Sequence, residues 1–100
     1  MLHTVNKSPF ERNALDACLA RAVKGSAILL YEDAVYAATK GASTAQRVGQ
    51  AAKDHKVYVL GPDLLARGFN EGQVLDGITV VDYDGFVDLV AELGTVNAWL

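Results

Sequence analysis

The sequence predicts an α/β protein: a three-layer α/β/α sandwich built on a mainly parallel sheet of four to five strands. Three observations carry this. Strand-like apolar runs alternate with helix-like stretches roughly every 20 to 30 residues, the spacing of strand-helix-strand crossovers. The run Ser26 to Tyr31 is apolar on both faces, as a strand covered by helices on each side should be, whereas a half-exposed antiparallel strand would alternate apolar with polar. The helix-like stretches also open and close on capping and stopping residues.

In chain order, Leu2 to Val5 reads as a short strand, and Ser8-Pro9-Phe10-Glu11 opens a helix running to about Val23. Ser8 and Glu11 have the spacing of a capping box, and Pro9 sits at the first helical position, where a missing N–H costs nothing. Leu15, Cys18, Leu19 and Ala22 then form one apolar face with Phe10 and Ala14 beside it. Lys24-Gly25 closes this helix, and the strand Ser26 to Tyr31 follows. Asp33 is placed to cap a short helix from Ala34 to about Thr39, and a second helical stretch spans roughly Ser43 to Lys53. Lys56 to Leu60 is the third strand. Gly61-Pro62-Asp63 turns into a short helix from Pro62 to Arg67, stopped by Gly68. Phe69 to Gly77 is irregular. Ile78 to Tyr83 is the fourth strand, and Asp84 caps a helix from Gly85 to Leu93 whose buried face is Phe86, Val87, Leu89, Val90 and Leu93. Thr95 to Leu100, with Trp99, forms a fifth short strand or a docked tail.

Composition narrows the function. One hundred residues, 51% hydrophobic and 21% charged, suit one domain over residues 1–100 with a single core and no room for separate cofactor and substrate domains. The longest strongly apolar run, Ala27 to Tyr31, is far short of the ~18 residues of a membrane span, and no basic-then-apolar leader opens the chain. A cytoplasmic protein without membrane contact is expected. A net charge of −3 with scattered Lys and Arg lacks the basic stripe of a direct nucleic-acid binder. One cysteine cannot make an internal disulfide or a Cys-rich zinc site, and His3 and His55 are far apart in sequence, so no metal is expected. No glycine-rich phosphate loop occurs, since Gly61-Pro62-Asp63 has neither dinucleotide nor P-loop spacing, and no cofactor is expected.

Few residues offer chemistry. Cys18 could be a nucleophile or persulfide carrier, or a small buried hydrophobe. Ten residues beyond the cap, it lies ~15 Å along the axis from the positive helix end that would lower its pKa, with Arg21 the sole nearby cation. Burial is the reading this position favours. Glu32 and Asp33 stand at the carboxyl end of a strand, where open α/β sheets bind ligands; an acid and base pair is one reading, a helix cap at Asp33 and a solvated Glu32 the other. His3 is expected to be a core imidazole bonded to backbone, and His55 part of a solvated turn. The aromatic set Tyr31, Tyr36, Tyr58, Phe69, Tyr83 and Trp99 exceeds what one small core hides, which points to oligomer contacts.

Five segments in order, MLHTVNKSPFERNALDACL, ILLYEDAVYAA, KVYVLGPDLLARG, ITVVDYDGFVDLV and NAWL, together resemble the DsrH/TusB family of sulfur-relay proteins over nearly the whole chain. The resemblance implies a subunit of a heterohexamer with two copies each of three related small chains, called DsrEFH in sulfur oxidisers and TusBCD in tRNA thiolation. The partners it implies are DsrE-like and DsrF-like (TusD-like and TusC-like) subunits and a DsrC/TusE-like sulfur carrier. In that family the essential persulfide cysteine belongs to the DsrE or TusD type of subunit. The oxidiser branch also carries a cysteine in the first helix of its H subunit, which Cys18 matches, and TusB-type chains commonly lack it. Cys18, the wording at Asn6 to Asn13 and the turn at Leu60 to Asp63 favour the DsrH branch. The function implied is relay of persulfide sulfur to a DsrC-type carrier during oxidation of stored sulfur, this chain serving as scaffold and docking surface with Cys18 an auxiliary carrier at most. The alternative is a TusB-like subunit of the relay for tRNA wobble uridine thiolation.

Overall fold

A computed structural model, which describes residues 1–9, 13–94 and 96–99, contains one five-stranded sheet. The strands are β1 (Leu2–Val5), β2 (Ala27–Leu30), β3 (Lys56–Leu60), β4 (Ile78–Val81) and β5 (Val96–Trp99). They lie in the order β4-β3-β2-β1-β5, and every neighbouring pair is parallel. Between them come α1 (Ala14–Arg21), a 3-10 helix at Glu32–Ala38, α2 (Ala45–Asp54), α3 (Gly61–Ala66), a short 3-10 turn at Glu71–Gln73 and α4 (Tyr83–Leu93). Of the two readings of the C-terminus, a fifth strand or a docked tail, the strand is the one formed, and it pairs with β1 on the far edge from β4.

This strand order explains how the two layers of helix are filled. From β1 to β4 the chain steps three times in one direction, and right-handed crossovers then place every intervening helix on one face. The single return from β4 to β5 runs the other way, so α4 falls on the opposite face. The packing follows suit. Val5, Ile28, Leu30, Val57 and Val59 meet Leu15 and Cys18 of α1, Val35 of the first 3-10 helix, Val48 of α2 and Leu64 of α3. On the other face Leu2, Ala27 and Leu29 meet Leu89 of α4. We call these the closed face and the open face. Period-two alternation along β1 and β2 assigns the residues to their sides.

Several local expectations need correction. The first helix begins at Ala14 after Asn13, whose carbonyl accepts the Ala17 N–H at 2.9 Å, and it ends at Arg21. Ser8 and Pro9 precede it, and Ser8 is buried. Glu11, and with it the proposed capping box, lies outside the described residues, as do Phe10, Thr95 and Leu100. Asp33 caps no helix, because the chain winds as a 3-10 helix from Glu32 itself. Asp82, not Asp84, caps α4: its Oδ1 accepts the Gly85 N–H at 2.8 Å. The strand before it ends at Val81, two residues earlier than the apolar pattern suggested, and the helix starts at Tyr83. Val87 is 64% exposed rather than buried, because α4 meets the sheet through Leu89 with Phe86, Val90 and Leu93 partly buried beside it, and Val87 lies at the outer edge of that face. The expected helix stops at Gly68 and Gly94 hold, with φ of +83° and +71°, values that a side chain would strain; α1, by contrast, already ends at Arg21 with Ala22 as its cap, and Gly25, at φ +89°, serves the turn beyond it.

Candidate functional site

Ligands of open parallel sheets bind at the carboxyl ends of strands, where neighbouring strands send their helices to opposite faces. Here that point lies between β3, which leads into α3 on the closed face, and β4, which leads into α4 on the open face. A cavity of about 400 Å³ opens there, walled by Gly61 and Pro62, Leu64, Leu65 and Phe69, and by Val80 and Val81 of β4, with Glu71 and Asp82 at its rim. A Cβ at Gly61 would sit 3.0 Å from Val80 Cγ1 and 3.4 Å from the Val81 carbonyl oxygen, so a side chain here would have to push Val80 aside by a few tenths of an ångström for α3 to start flush with the end of β3. Leu65 is 70% exposed at the lip.

Beside the crevice, at the ends of β2 and β3, lies a polar lattice. Arg67 donates from Nη2 and Nε to Asp33 Oδ1 at 2.8 and 3.0 Å, and from Nη1 to the Asp63 carbonyl oxygen at 3.2 Å. The Asp63 carboxylate accepts the Glu32 backbone N–H. Glu32 is the one described non-glycine residue with positive φ, +49°, and the bond from its N–H holds that left-handed turn in place. Neither reading of Asp33 holds, since it pairs with Arg67 and caps no helix, while Glu32 is exposed as the second reading expected. Asp33 is paired with a cation and Asp63 is committed to backbone, so no two carboxylates face each other as an acid and base. Tyr31, next in line, has its phenol pKa raised, chiefly by burial, then by Glu32, with a bond to Thr4 opposing and Asp63 adding. It is a neutral hydroxyl and not a base.

Cys18 is far from such exposure. It is 0% exposed, inside the closed-face core with Leu15 and Ile28, and burial pushes its pKa up to about 11. At neutral pH that leaves roughly one thiolate in ten thousand, and the thiolate is the nucleophile. His3 is buried as expected but bonds to a side chain: its Nδ1 accepts the Trp99 indole N–H at 3.1 Å, tying β1 to β5. Its pKa is lowered, first by burial, then by the positive N-terminus and His55. His55 is half-buried, not solvated, and its Nδ1 has no protein partner among the described residues. No group of three His, Cys, Asp or Glu side chains among the described residues is placed to hold a metal. No described helix is long and apolar enough to cross a membrane.

Sequence reasoning missed Glu71, Leu65 and Asp82 as crevice residues. Nothing in the chain marks them, since their proximity depends on strand order. The Arg67 to Asp33 pair, 34 positions apart, was hidden for the same reason.

Fold and edge together define a small parallel α/β protein with a crevice at its strand ends and its one thiol sealed in the core. Its relatives make the class specific. Residues 7–96 match the family model described as DsrH like protein. The chain is 37% identical over 99 residues to Protein TusB of Pectobacterium parmentieri, covering 99% of this chain and 100% of that protein, and 36% identical with the same coverage to Protein TusB of Escherichia coli strain K12. Among solved structures, the ychN protein from E. coli superposes with a TM-score of 0.82 at 18% identity over 97% of both chains. A protein of unknown function from Methanobacterium thermoautotrophicum, MTH1491, gives 0.76 at 13% identity, covering 97% of this chain and 95% of that one. These last two speak for the fold alone. The chain belongs to the DsrH/TusB family of sulfur-relay proteins.

Proposed function

We propose that this chain is a non-carrier subunit of a cytoplasmic hetero-oligomeric relay that delivers persulfide sulfur for thiolation of the tRNA wobble uridine. Its partners are TusC-like and TusD-like chains, two copies of each of the three, and a TusE/DsrC-like protein receives the sulfur. Relatives named TusB over the full length support this branch. They outweigh the sequence wording at Asn6 to Asn13, at Leu60 to Asp63 and at Cys18, which favours the alternative, relay during oxidation of stored sulfur.

The observation that carries the non-carrier role is the burial of Cys18. In persulfide exchange an acceptor thiolate attacks the outer sulfur of the donor; the new S–S bond forms as the old one breaks, and the donor leaves as a thiolate. An acceptor must be reachable and ionised. Cys18 is neither, so the reaction passes between thiols on other subunits while this chain holds them in place.

The test is complementation. In cells lacking their own TusB, this chain and Cys18→Ser should restore wobble-uridine thiolation equally, read as retardation of the tRNA on mercury-containing gels. Restoration by the wild type but not by Cys18→Ser would make the thiol a carrier. Failure of both, together with assembly onto DsrE-like and DsrF-like chains, would favour the oxidation reading.

A further inference from the structure

The helix on the open face is more apolar than its packing on the sheet requires. At 100° per residue, the residues Leu89, Leu93, Phe86, Val90, Tyr83, Val87 and Ala91 of α4 span roughly 200° of arc; Leu89 is buried and Phe86, Val90 and Leu93 are partly buried against the sheet, while Tyr83, Val87 and Ala91 are exposed. Tyr83 and Val87 are 58% and 64% exposed, and Phe86, Val87, Val90 and Ala91 line a shallow groove with no polar side chain. The sheet beneath is only partly covered. Val96 of β5, level with Leu2 on the same face, is 45% exposed. A patch of this kind marks an association surface.

Charge says what covers it. Beside the apolar arc, Asp84, Asp88 and Glu92 form a second exposed stripe at i, i+4 and i+8. After Arg67 the chain has no cation at all: Glu71, Asp76, Asp82, Asp84, Asp88 and Glu92 give residues 68–100 a charge of −6, against nine cations and six carboxylates, or +3, in residues 1–67. A second copy docked through the same surface around a two-fold axis would set this acidic stripe against itself, which costs affinity and slows encounter.

We infer that the α4 face, centred on Tyr83 and Val87, docks a different polypeptide whose contact surface is apolar and ringed by Lys and Arg. This rests on the hetero-oligomer proposed above and names the surface that serves it.

The experiment uses the full chain co-expressed with TusC-like and TusD-like subunits, with assembly measured by native mass spectrometry and by titration. Val87→Asp should weaken assembly at least ~tenfold, as loss of a central interface anchor does. Asp88→Lys should weaken it less, with an effect that fades in high salt. Val23→Asp, at a residue 76% exposed outside this patch, should assemble like wild type, and all three should melt near the wild-type temperature because their side chains are exposed. If wild type assembles and Val87→Asp assembles equally well, this surface is wrong while the hetero-oligomer stands. If wild type binds none of these subunits, the functional reading fails and the surface falls with it. If the isolated chain forms dimers that Val87→Asp dissolves, the occupant is a second copy and the inference is overturned.

Discussion

The two faces of the sheet are built from the same kind of strand and meet different fates. The closed face receives α1, α2, α3 and a 3-10 helix, and its core is aliphatic, with Val5, Leu30, Val35 and Val59 fully buried. The open face receives α4 alone, and its half-exposed rim holds Tyr58, Phe86 and Val90. No described aromatic side chain is fully buried. The cause is topological: three crossovers in one direction and one in return cannot cover both faces equally. A parallel sheet is stable with both faces covered, so the difference teaches that the closed face holds the fold and the open face awaits company. The thiol sits on the closed side, away from any surface where sulfur could be handed over.

Substitutions can break this comparison. The largest effect is expected from Leu30→Ala in the closed core, which should cost about 2–5 kcal/mol of unfolding free energy in urea titration. A loss below ~1 kcal/mol would mean that the closed face is not the seat of stability. Trp99→Phe comes next. It leaves the buried His3 Nδ1 without its donor and should cost about 1–3 kcal/mol.

The same pair predicts a pH dependence. The folded His3 has its pKa below the ordinary 6.5, so the unfolded chain binds the proton first, and stability, complete above about 6.5, is lost as pH falls toward the folded value. In Trp99→Phe most of that acid loss should persist, because burial, the N-terminus and His55 still oppose the charged ring, and it should lessen only by the share that the indole bond to Nδ1 adds. An unchanged slope in urea titrations between pH 7 and 5 would show that the indole bond adds nothing to what disfavours the imidazolium.

Smaller effects sharpen the contrast. Asp82→Ala should cost ~1 kcal/mol by removing the cap of α4, whereas Asp84→Ala should leave stability nearly unchanged. Val87→Ala should stay within ~0.5 kcal/mol in the isolated chain. A clear loss at Val87 would mean that α4 leans on the sheet through a face other than Leu89.

How legible this was in the sequence depended on range. Lys56–Leu60 was read residue for residue, because β-branched residues and a glycine-proline stop are local signals. The parallel sheet followed from Ala27–Leu30, apolar on both faces. The burial of Cys18 followed from its place among Leu15 and Leu19. The misreadings came where a local signal met a distant partner: Asp33 looks like a cap until Arg67 arrives from the next crossover, and His3 looks backbone-bonded until the last strand brings Trp99. Val87 looked like core because an apolar arc does not say how much of itself the protein's own sheet will cover. The crevice was invisible because it exists only where β3 and β4 part, and the order of strands is not written in any single stretch.

The central claim is that this chain associates through its open face and carries no sulfur on its closed one. Loading the assembled complex with a persulfide donor and weighing each subunit by mass spectrometry tests this most directly. The added sulfur should appear on a partner subunit and this chain should stay at its unmodified mass, with Cys18→Ser complexes loading to the same extent. Sulfur arriving first on Cys18, with loading elsewhere abolished when it is replaced, would contradict it.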